Sequence, residues 1–436
     1  MSAVFARGHG PHPAAVAGKG VWIEDATGKR YLDAAGGAIV VGIGHGDEQV
    51  VAAMARQAAA LAYAHPTAFT TDTVERYASE VAALVPMERP RVYQVSGGAE
   101  AVETALKAAR AYHLARGDEQ RSVVVGRELS YHGNTRGALD VSGRNSLRRP
   151  YLPWLGAAGR VPGVLEYRCP NPAHPVACAM WHASRLVEEI ERIGPERVAA
   201  FIAEPIGGAA SGAAVPPDGY WDGVAAVCRR YGVLLIADEV MTGFGRTGRW
   251  FAAEHFGLRP DILVAAKGAS SGYWPLGLTV VSGDVHDTIV SAGGFIHGFT
   301  WSHHAVGAAV GSAVLRRIEE LDLVGAAERQ GRRLMAGLRS TLAGHPRVGD
   351  VRGAGLLAAI EIVTDRTTRR PFPAADGIAG RVTDAARDLG LILYPSSGCA
   401  DGDNGDLLLL GPPLIISDDE VDLVVERTAA AMEVVA

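Results

Sequence analysis

Three segments of this chain end an apolar run in residues able to do chemistry, and a fourth offers an aromatic ring in a loop. In "VYQVSGGAEAVETALKAAR" (92–110) a strand ends at Ser96, and Gly97 and Gly98 turn the chain into a helix. The start of such a helix presents free backbone N–H groups and the positive end of its dipole, which suits a phosphate. A purely structural turn has the same two glycines, so this feature alone decides nothing. "SYHGNT" (130–135) places Tyr131 and His132 in a glycine-containing loop, where the phenol ring either stacks on a flat ligand or simply packs. In "LLIADEVMTGFGRTG" (234–248), Asp238 and Glu239 directly follow five apolar residues. A carboxylate at the edge of a dry sheet needs a cation or hydrogen-bond donors, or else it caps the next helix. Lastly, "DILVAAKGASSG" (261–272) ends its apolar run in Lys267, with no Asp or Glu following it. Apolar surroundings lower a lysine's pKa, and a neutral amine attacks carbonyls; a snorkelling surface lysine is the plainer alternative.

Taken together the four features describe one ligand. It has a phosphate for the helix start, a flat ring against Tyr131, a protonated ring nitrogen facing Asp238 and an aldehyde for Lys267. Pyridoxal 5′-phosphate has all four groups.

These residues need elements that place them on one edge. The 436 residues are 48% hydrophobic and 21% charged, with a formal net charge of −6 and both signs interspersed. That balance suits a soluble globular protein of two or three substructures and argues against a nucleic-acid or membrane surface. No apolar run approaches the length of about 20 residues that spans a bilayer, and the first 20 residues lack a signal-peptide core, so a cytoplasmic protein is expected. Four cysteines are too few for a disulfide scaffold in so long a chain. "CPNPAHPVACAMWH" brings Cys169, His174, Cys178 and His182 close in sequence, but the spacing matches no common zinc frame, and no metal is expected.

The patterning predicts a hairpin over 21–37, helices over 47–62 and 72–85, and then an alternation. Its strands fall at 91–95, 122–126, 198–203, 232–237, 261–266 and 278–282, with helices at 98–115, from about 180, and at 218–231. Short all-apolar strands between helices predict an α/β fold with a mostly parallel sheet covered on both faces. Such sheets place ligands at the C-terminal ends of their strands, where all four features fall. From about 325 a smaller α/β domain is predicted, with helices at 324–343 and 375–389, strands near 355–363, 391–394 and 406–410, and a final helix. The expected division is 1–70 as an N-terminal segment joining the small domain, 71–322 as the large domain and 323–436 as the small domain.

Order and spacing of these motifs resemble the class III (ω-type) pyridoxal-phosphate-dependent aminotransferases over nearly the whole chain. The likeness rests on "YLDAAGG" with "GIGHG", "SGGAEAVETALKAAR", "YHG", "AAFIAEPIGG", "VPPDGYW", "GVLLIADEVMTGFGRTG", "PDILVAAKG", "GFTWSHHAVGAA" and "LLGPPLIIS". The resemblance implies PLP-dependent fold type I, acting as a homodimer with active sites at the subunit boundary. It implies catalytic roles for Lys267, which bonds the cofactor and moves the proton, and for Asp238, which pairs with the ring nitrogen. Gly97, Gly98 and Ala99 would hold the phosphate, Tyr131 and Val240 would flank the ring, His132 would lie beside it, and Thr300 would reach the phosphate from the other subunit. The implied reaction moves an amino group from an amine or (ω-)amino acid to an oxo acid such as pyruvate.

Several positions depart from the family pattern. Ala99 stands where many relatives have serine, Met241 replaces a glutamine, and Ile39 occupies an aromatic substrate-pocket position. Phe299, Trp301 and His303 also differ from the usual residues around Thr300. Residues 394–414 contain no arginine, although many members clamp the acceptor's carboxylate with one there. Glu204 matches the glutamate that pairs with that arginine. It is therefore expected either to be free for a cationic or hydroxyl-bearing substrate group, or to be buried against another basic residue. Arg352 resembles a structural arginine. The alternative activity is a PLP-dependent aminomutase or amino-acid racemase on the same scaffold. A nucleotide-binding oxidoreductase is a poorer reading, because the G-x-G-x-x-G fingerprint is missing and Lys267 would have no role.

Overall fold

The computed structural model describes residues 3–5, 12–156 and 158–436. Residues 1, 2 and 6–11 of the expected N-terminal segment, and position 157, lie outside the described residues. Near the N-terminus, β1 (Ala15–Lys19), β2 (Trp22–Asp25) and β3 (Arg30–Asp33) form an antiparallel meander. Gly28, at φ 83° in the β2–β3 turn, adopts the left-handed conformation that glycine takes without a Cβ clash. β1 lies outside the predicted hairpin. All five of its residues are exposed, so it carries no alternating apolar signal.

The large sheet comprises β4 (Arg91–Val95), β5 (Val123–Arg127), β6 (Gly159–Val161), β7 (Val198–Ala203), β8 (Leu234–Asp238), β9 (Ile262–Ala265) and β10 (Gly277–Val281). Its order is β4-β10-β9-β8-β7-β5-β6. Only β10 runs against the others, pairing antiparallel with both β4 and β9. β7, β8 and β9 are buried at every residue, which is why they read as continuous apolar runs. The chain starts at one edge with β4, crosses to β5 and β6 at the other edge, and then steps back through β7, β8, β9 and β10 toward β4, with β4, β8 and β9 all running the same way. The C-terminal ends of β4, β8 and β9 thereby meet at one edge.

The C-terminal part adds β11 (Val348–Ala354), β12 (Leu357–Asp365), β13 (Arg370–Pro371), β14 (Leu391–Ile392), β15 (Tyr394–Ser397) and β16 (Asp406–Leu410). β11, β12, β16 and β15 form one antiparallel path, with β13 attached to β12. β14 instead pairs in parallel with β3, placing Leu391 opposite Leu32 and Ile392 opposite Asp33. The N-terminal meander is thus completed by a strand from the far end of the chain.

Besides β1, β6 and the helix Gly283–Ser291, a strand and a long helix escaped the patterning. β11 lies just before the single strand expected near 355–363 and pairs with it through a tight turn. The helix Ala305–Glu320 is buried around nearly its whole circumference for its first eleven residues. A helix with no polar face has no amphipathic period. Its small residues are needed for contact: a Cβ on Gly311 would lie 2.4 Å from the Tyr77 ring, and one on Gly307 would lie 2.9 Å from Trp274. Among the described residues, no helix is long and apolar enough to cross a membrane.

Leu32 is fully buried on β3, between Trp22 of β2 and Leu391 of β14. Leu32→Ala is expected to lower stability by about 2–5 kcal/mol through lost burial and the cavity left behind. The urea midpoint of the full chain measures it, and an unchanged midpoint would refute the coupling of the two ends.

Candidate active site

The edge where β4, β8 and β9 end opens onto a cavity of about 440 Å³. Its walls include Gly97, Gly98 and Ala99, Tyr131 and His132, Asp238 and Val240, and Lys267. Every residue assigned from the resemblance to this chain's own cofactor contacts therefore meets in one space.

After β4, Gly97 is extended and the helix Gly98–Ala115 begins with no side chain capping it. Its first-turn N–H groups thus face the cavity unopposed by a side-chain acceptor. Gly98 is there for contact. A Cβ on it would sit 3.0 Å from Cγ1 of Val240 and 3.6 Å from Ala266. With glycine, the helix start comes down onto the end of β8.

At that end, strand alternation sends two adjacent carboxylates opposite ways. Asp238 faces the cavity and is almost fully buried. One oxygen accepts the Val240 N–H at 3.0 Å, and the other lies 2.6 Å from His132 Nδ1. Glu239, also buried, accepts the N–H groups of Ala252 at 3.0 Å and Ala253 at 2.7 Å, together with the Thr242 hydroxyl. Burial nevertheless raises its pKa to about 7. Of the two acids, Glu239 is the backbone cap and Asp238 faces the ligand space. His132 is held by its own N–H, which donates to the Ser142 hydroxyl at 2.8 Å. Its Nε2 is buried and has no hydrogen-bond partner among the described residues.

Lys267 begins a short turn directly after β9, in a left-handed conformation with φ 45°. A lysine in that region carries backbone strain, which the surrounding structure must hold in place. Ser271, four residues on, accepts the N–H groups of Gly42 and Ile43 at 2.8 and 2.9 Å, which fastens the turn to the N-terminal segment. Burial is the largest influence on the amine and lowers its pKa to about 8. Asp238 opposes that shift, and the Arg246 charge adds to it. No carboxylate forms an ion pair with Lys267 among the described residues.

One expected substrate contact needs correction, and the two alternatives left for Glu204 are separated. Ile39 does not line the cavity. It sits in the kinked turn after Gly36 and Gly37 with φ 59°, and its side chain is buried against Ala209, Leu357, Leu407 and Leu409. Val40 takes the place on the wall. The positive φ values that turn this backbone are invisible in residue types. Glu204 does line the cavity but is not free. Arg127 donates to it at 3.1 Å, and the Tyr131 N–H donates to its other oxygen at 3.0 Å. Arg127 also donates to the Glu204 carbonyl at 2.6 Å. The sequence signal for Arg127 was an arginine closing the apolar run "SVVVGR". Arg352 is spent elsewhere, donating to Glu361 and Asp350 and to the Gly212 and Ser211 carbonyls. Thr300 is exposed and lies outside this cavity, and its carbonyl accepts the Tyr63 hydroxyl at 2.7 Å.

The aminotransferase class-III family model matches residues 4–432. The chain belongs to the class III aminotransferases. It is 37% identical to the uncharacterized aminotransferase YodT of Bacillus subtilis, over 97% of this chain and 96% of that one. It is 34% identical to the putrescine–pyruvate aminotransferase of Pseudomonas aeruginosa, over 95% and 90% of the two chains. The ω-transaminase of Pseudomonas jessenii in complex with PMP superposes with a TM-score of 0.91 at 32% identity, covering 97% of this chain and 92% of that one. The protein is thus an aminotransferase with the α/β, fold type I architecture of a family that depends on pyridoxal phosphate.

Two outcomes follow from the buried charges of this aminotransferase. Arg127→Met leaves the Glu204 carboxylate buried without its cation and is expected to cost about 3–5 kcal/mol. The double variant with Glu204→Gln should recover much of that loss, and urea denaturation of the three proteins decides. In the cofactor-free protein, reductive labelling of Lys267 by a simple aldehyde should rise through pH about 8, because burial holds its amine below the usual lysine range. A midpoint above pH 10 would contradict it.

Proposed function

We propose that this aminotransferase uses pyridoxal 5′-phosphate to take the amino group of a primary amine or ω-amino acid and pass it to a short oxo acid such as pyruvate. The observation that carries this reading is the shared cavity of Lys267, Asp238 and the uncapped helix start. The residues fit the cofactor at each of its groups. The N–H groups of Gly98 and Ala99 suit the phosphate, Val240 and Tyr131 flank a flat ring, and Asp238 suits a protonated ring nitrogen. When bound, the cofactor supplies an aldehyde and an electron-poor ring that delocalises charge from the carbon bearing the amino group.

The chain's residues then have separable tasks. Asp238 holds the ring nitrogen protonated, and His132 and the Val240 N–H fix its carboxylate against rotation. Lys267 would hold the cofactor's aldehyde, and its amine, which burial lowers to a pKa of about 8, would be the group that moves a proton between the substrate carbon and the cofactor side. Val40, Met241, Trp274, Pro275 and Leu276 give the remaining wall an apolar character and exclude water.

Among the residues lining the cavity, Lys267 is the only cation, and Glu204 is already engaged. That wall offers no spare cation to a carboxylate at the donor's far end, so of the two proposed donor classes it favours the primary amine over the ω-amino acid. Relatives named for amine–pyruvate transfer support pyruvate as acceptor.

The working assembly in this reading is a homodimer in the cytoplasm, with Thr300 of each subunit completing the phosphate site of the other. The exposure of Thr300 supports it, as does that of Trp301 beside it and Ile296 close by. The parts 1–70, 71–322 and 323–436 would act as small-domain segment, cofactor domain and small domain. The β3–β14 pairing supports joining the first to the last.

Incubating the holoenzyme with a panel of primary amines and pyruvate is expected to yield alanine. A donor alone should convert the cofactor's absorbance stably to that of its amine form. Racemised or rearranged donor, with no alanine from any amine, would instead establish an isomerase. Asp238→Asn should lower kcat roughly 100-fold or more while the borohydride-reducible bond to Lys267 survives.

A further inference from the structure

The loop that leads into the helix Cys178–Ile193 folds inside out. Its apolar residues Pro170, Pro172, Ala173, Pro175, Val176 and Ala177 are exposed, whereas Asn171 and Cys178 are buried and Cys169 and His174 half-buried. A loop of this length without an apolar interior needs another source of cohesion. What fills its interior is two sulfurs and an imidazole, with a second imidazole alongside. Cys169 Sγ lies 3.6 Å from Cys178 Sγ, His174 Nδ1 lies 3.1 Å from Cys178 Sγ, and His182 Nε2 lies 3.7 Å from Cys169 Sγ.

We propose that Cys169, His174, Cys178 and His182 form a structural zinc site. A tetrahedral zinc has bonds of about 2.3 Å to sulfur and about 2.0 Å to nitrogen, which gives edges of about 3.8 Å between sulfurs, about 3.5 Å between sulfur and nitrogen and about 3.3 Å between nitrogens. The three observed separations each lie within about 0.4 Å of the edge for their pair, one of them outside it. The first three ligand atoms all fall within 4.8 Å of one another. His182 follows Cys178 by one helical turn on the same face of the helix, and its Nε2 touches Cys169 Sγ but falls outside that 4.8 Å group, so it reaches the fourth corner only when its side chain shifts toward the other two ligands on binding.

The surroundings of Cys178 suit a thiolate. Cys178 is the first residue of its helix, whose start carries no side-chain cap, so its sulfur takes the favourable end of the helix dipole. Asn171 donates one amide hydrogen to Cys178 Sγ at 3.4 Å and another to the Val176 carbonyl at 2.9 Å, supporting the loop from behind the ligands. His182 is wedged edge-on between the Trp181 and Tyr220 rings, at centroid distances of 4.9 and 6.1 Å. Binding releases the two thiol protons, and the resulting thiolates neutralise the ion. Four protein ligands leave no open position for water or substrate, so the ion acts on stability and not on the amino transfer.

The test is zinc content of the full-length holoenzyme, purified with reductant and dialysed, alongside Cys169→Ser, Cys178→Ser and Lys267→Ala. About one zinc per chain is expected in the wild type and in Lys267→Ala, with loss in both serine variants. Cobalt exchanged into the wild type should give thiolate-to-cobalt charge-transfer bands that the serine variants lack. Stripping the zinc by chelation should lower the Tm by several degrees. Three results would overturn the site: a metal-free wild type with both thiols free, a Cys169–Cys178 disulfide in the purified protein, or zinc retained by both serine variants.

Discussion

The proposed active site depends on the removal of one amine and one carboxylate from water at the same sheet edge. An ammonium and a carboxylate in a dry cavity would ordinarily pair and neutralise each other. Here the scaffold keeps them apart. Asp238 is committed to His132 and a backbone N–H, and Lys267 is held on a strained turn after the neighbouring strand. The amine is left with a pKa of about 8, so both of its protonation states are populated near neutrality, as the proposed proton transfer requires. Were Asp238 to turn and bind Lys267 directly, the amine's pKa would rise and its nucleophilicity would fall.

Keeping that separation requires rigid neighbours, and they come from distant parts of the chain. Gly98 lets the helix start reach Val240, and Ser271 fastens the lysine turn to residues 42–43. Arg246 reaches the carbonyls of Val41, Leu356 and Pro412, so one buried guanidinium joins the N-terminal segment, the β11–β12 turn and the C-terminal region. Burial without a carboxylate in contact lowers its pKa to about 10. Its charge therefore adds a small push on Lys267 in the same direction as desolvation.

Substrate recognition is a different kind of problem. Glu204 carries a full charge in the cavity wall, yet Arg127 and the Tyr131 N–H occupy both of its oxygens. The pair anchors the loop that carries Tyr131, so its work is positional. Val40, standing where Ile39 was expected, shows how a backbone kink of two glycines and a left-handed isoleucine exchanges which side chain faces a ligand.

The sequence by itself determined the alternation of buried strands and helices, the strand ends that carry Gly98, Asp238 and Lys267, and the family. The strands and their ends are local, each following from an apolar run, a turn residue and the group placed after it, whereas the family was legible only through the resemblance of motif order and spacing along the chain. Helix Ala305–Glu320 and β11 escaped because neither shows a clean local period, the first being apolar on every side and the second exposing most of its residues only partly. Tertiary structure alone decided how Glu239 is spent on the N–H groups of Ala252 and Ala253, that Arg127 is the partner of Glu204, and that Ile39 turns inward. It also decided that the Cys and His side chains of one loop converge. Each of these depends on distances between residues far apart in the chain, or on backbone angles that residue types leave open, and charges find their partners only once packing has excluded water from around them.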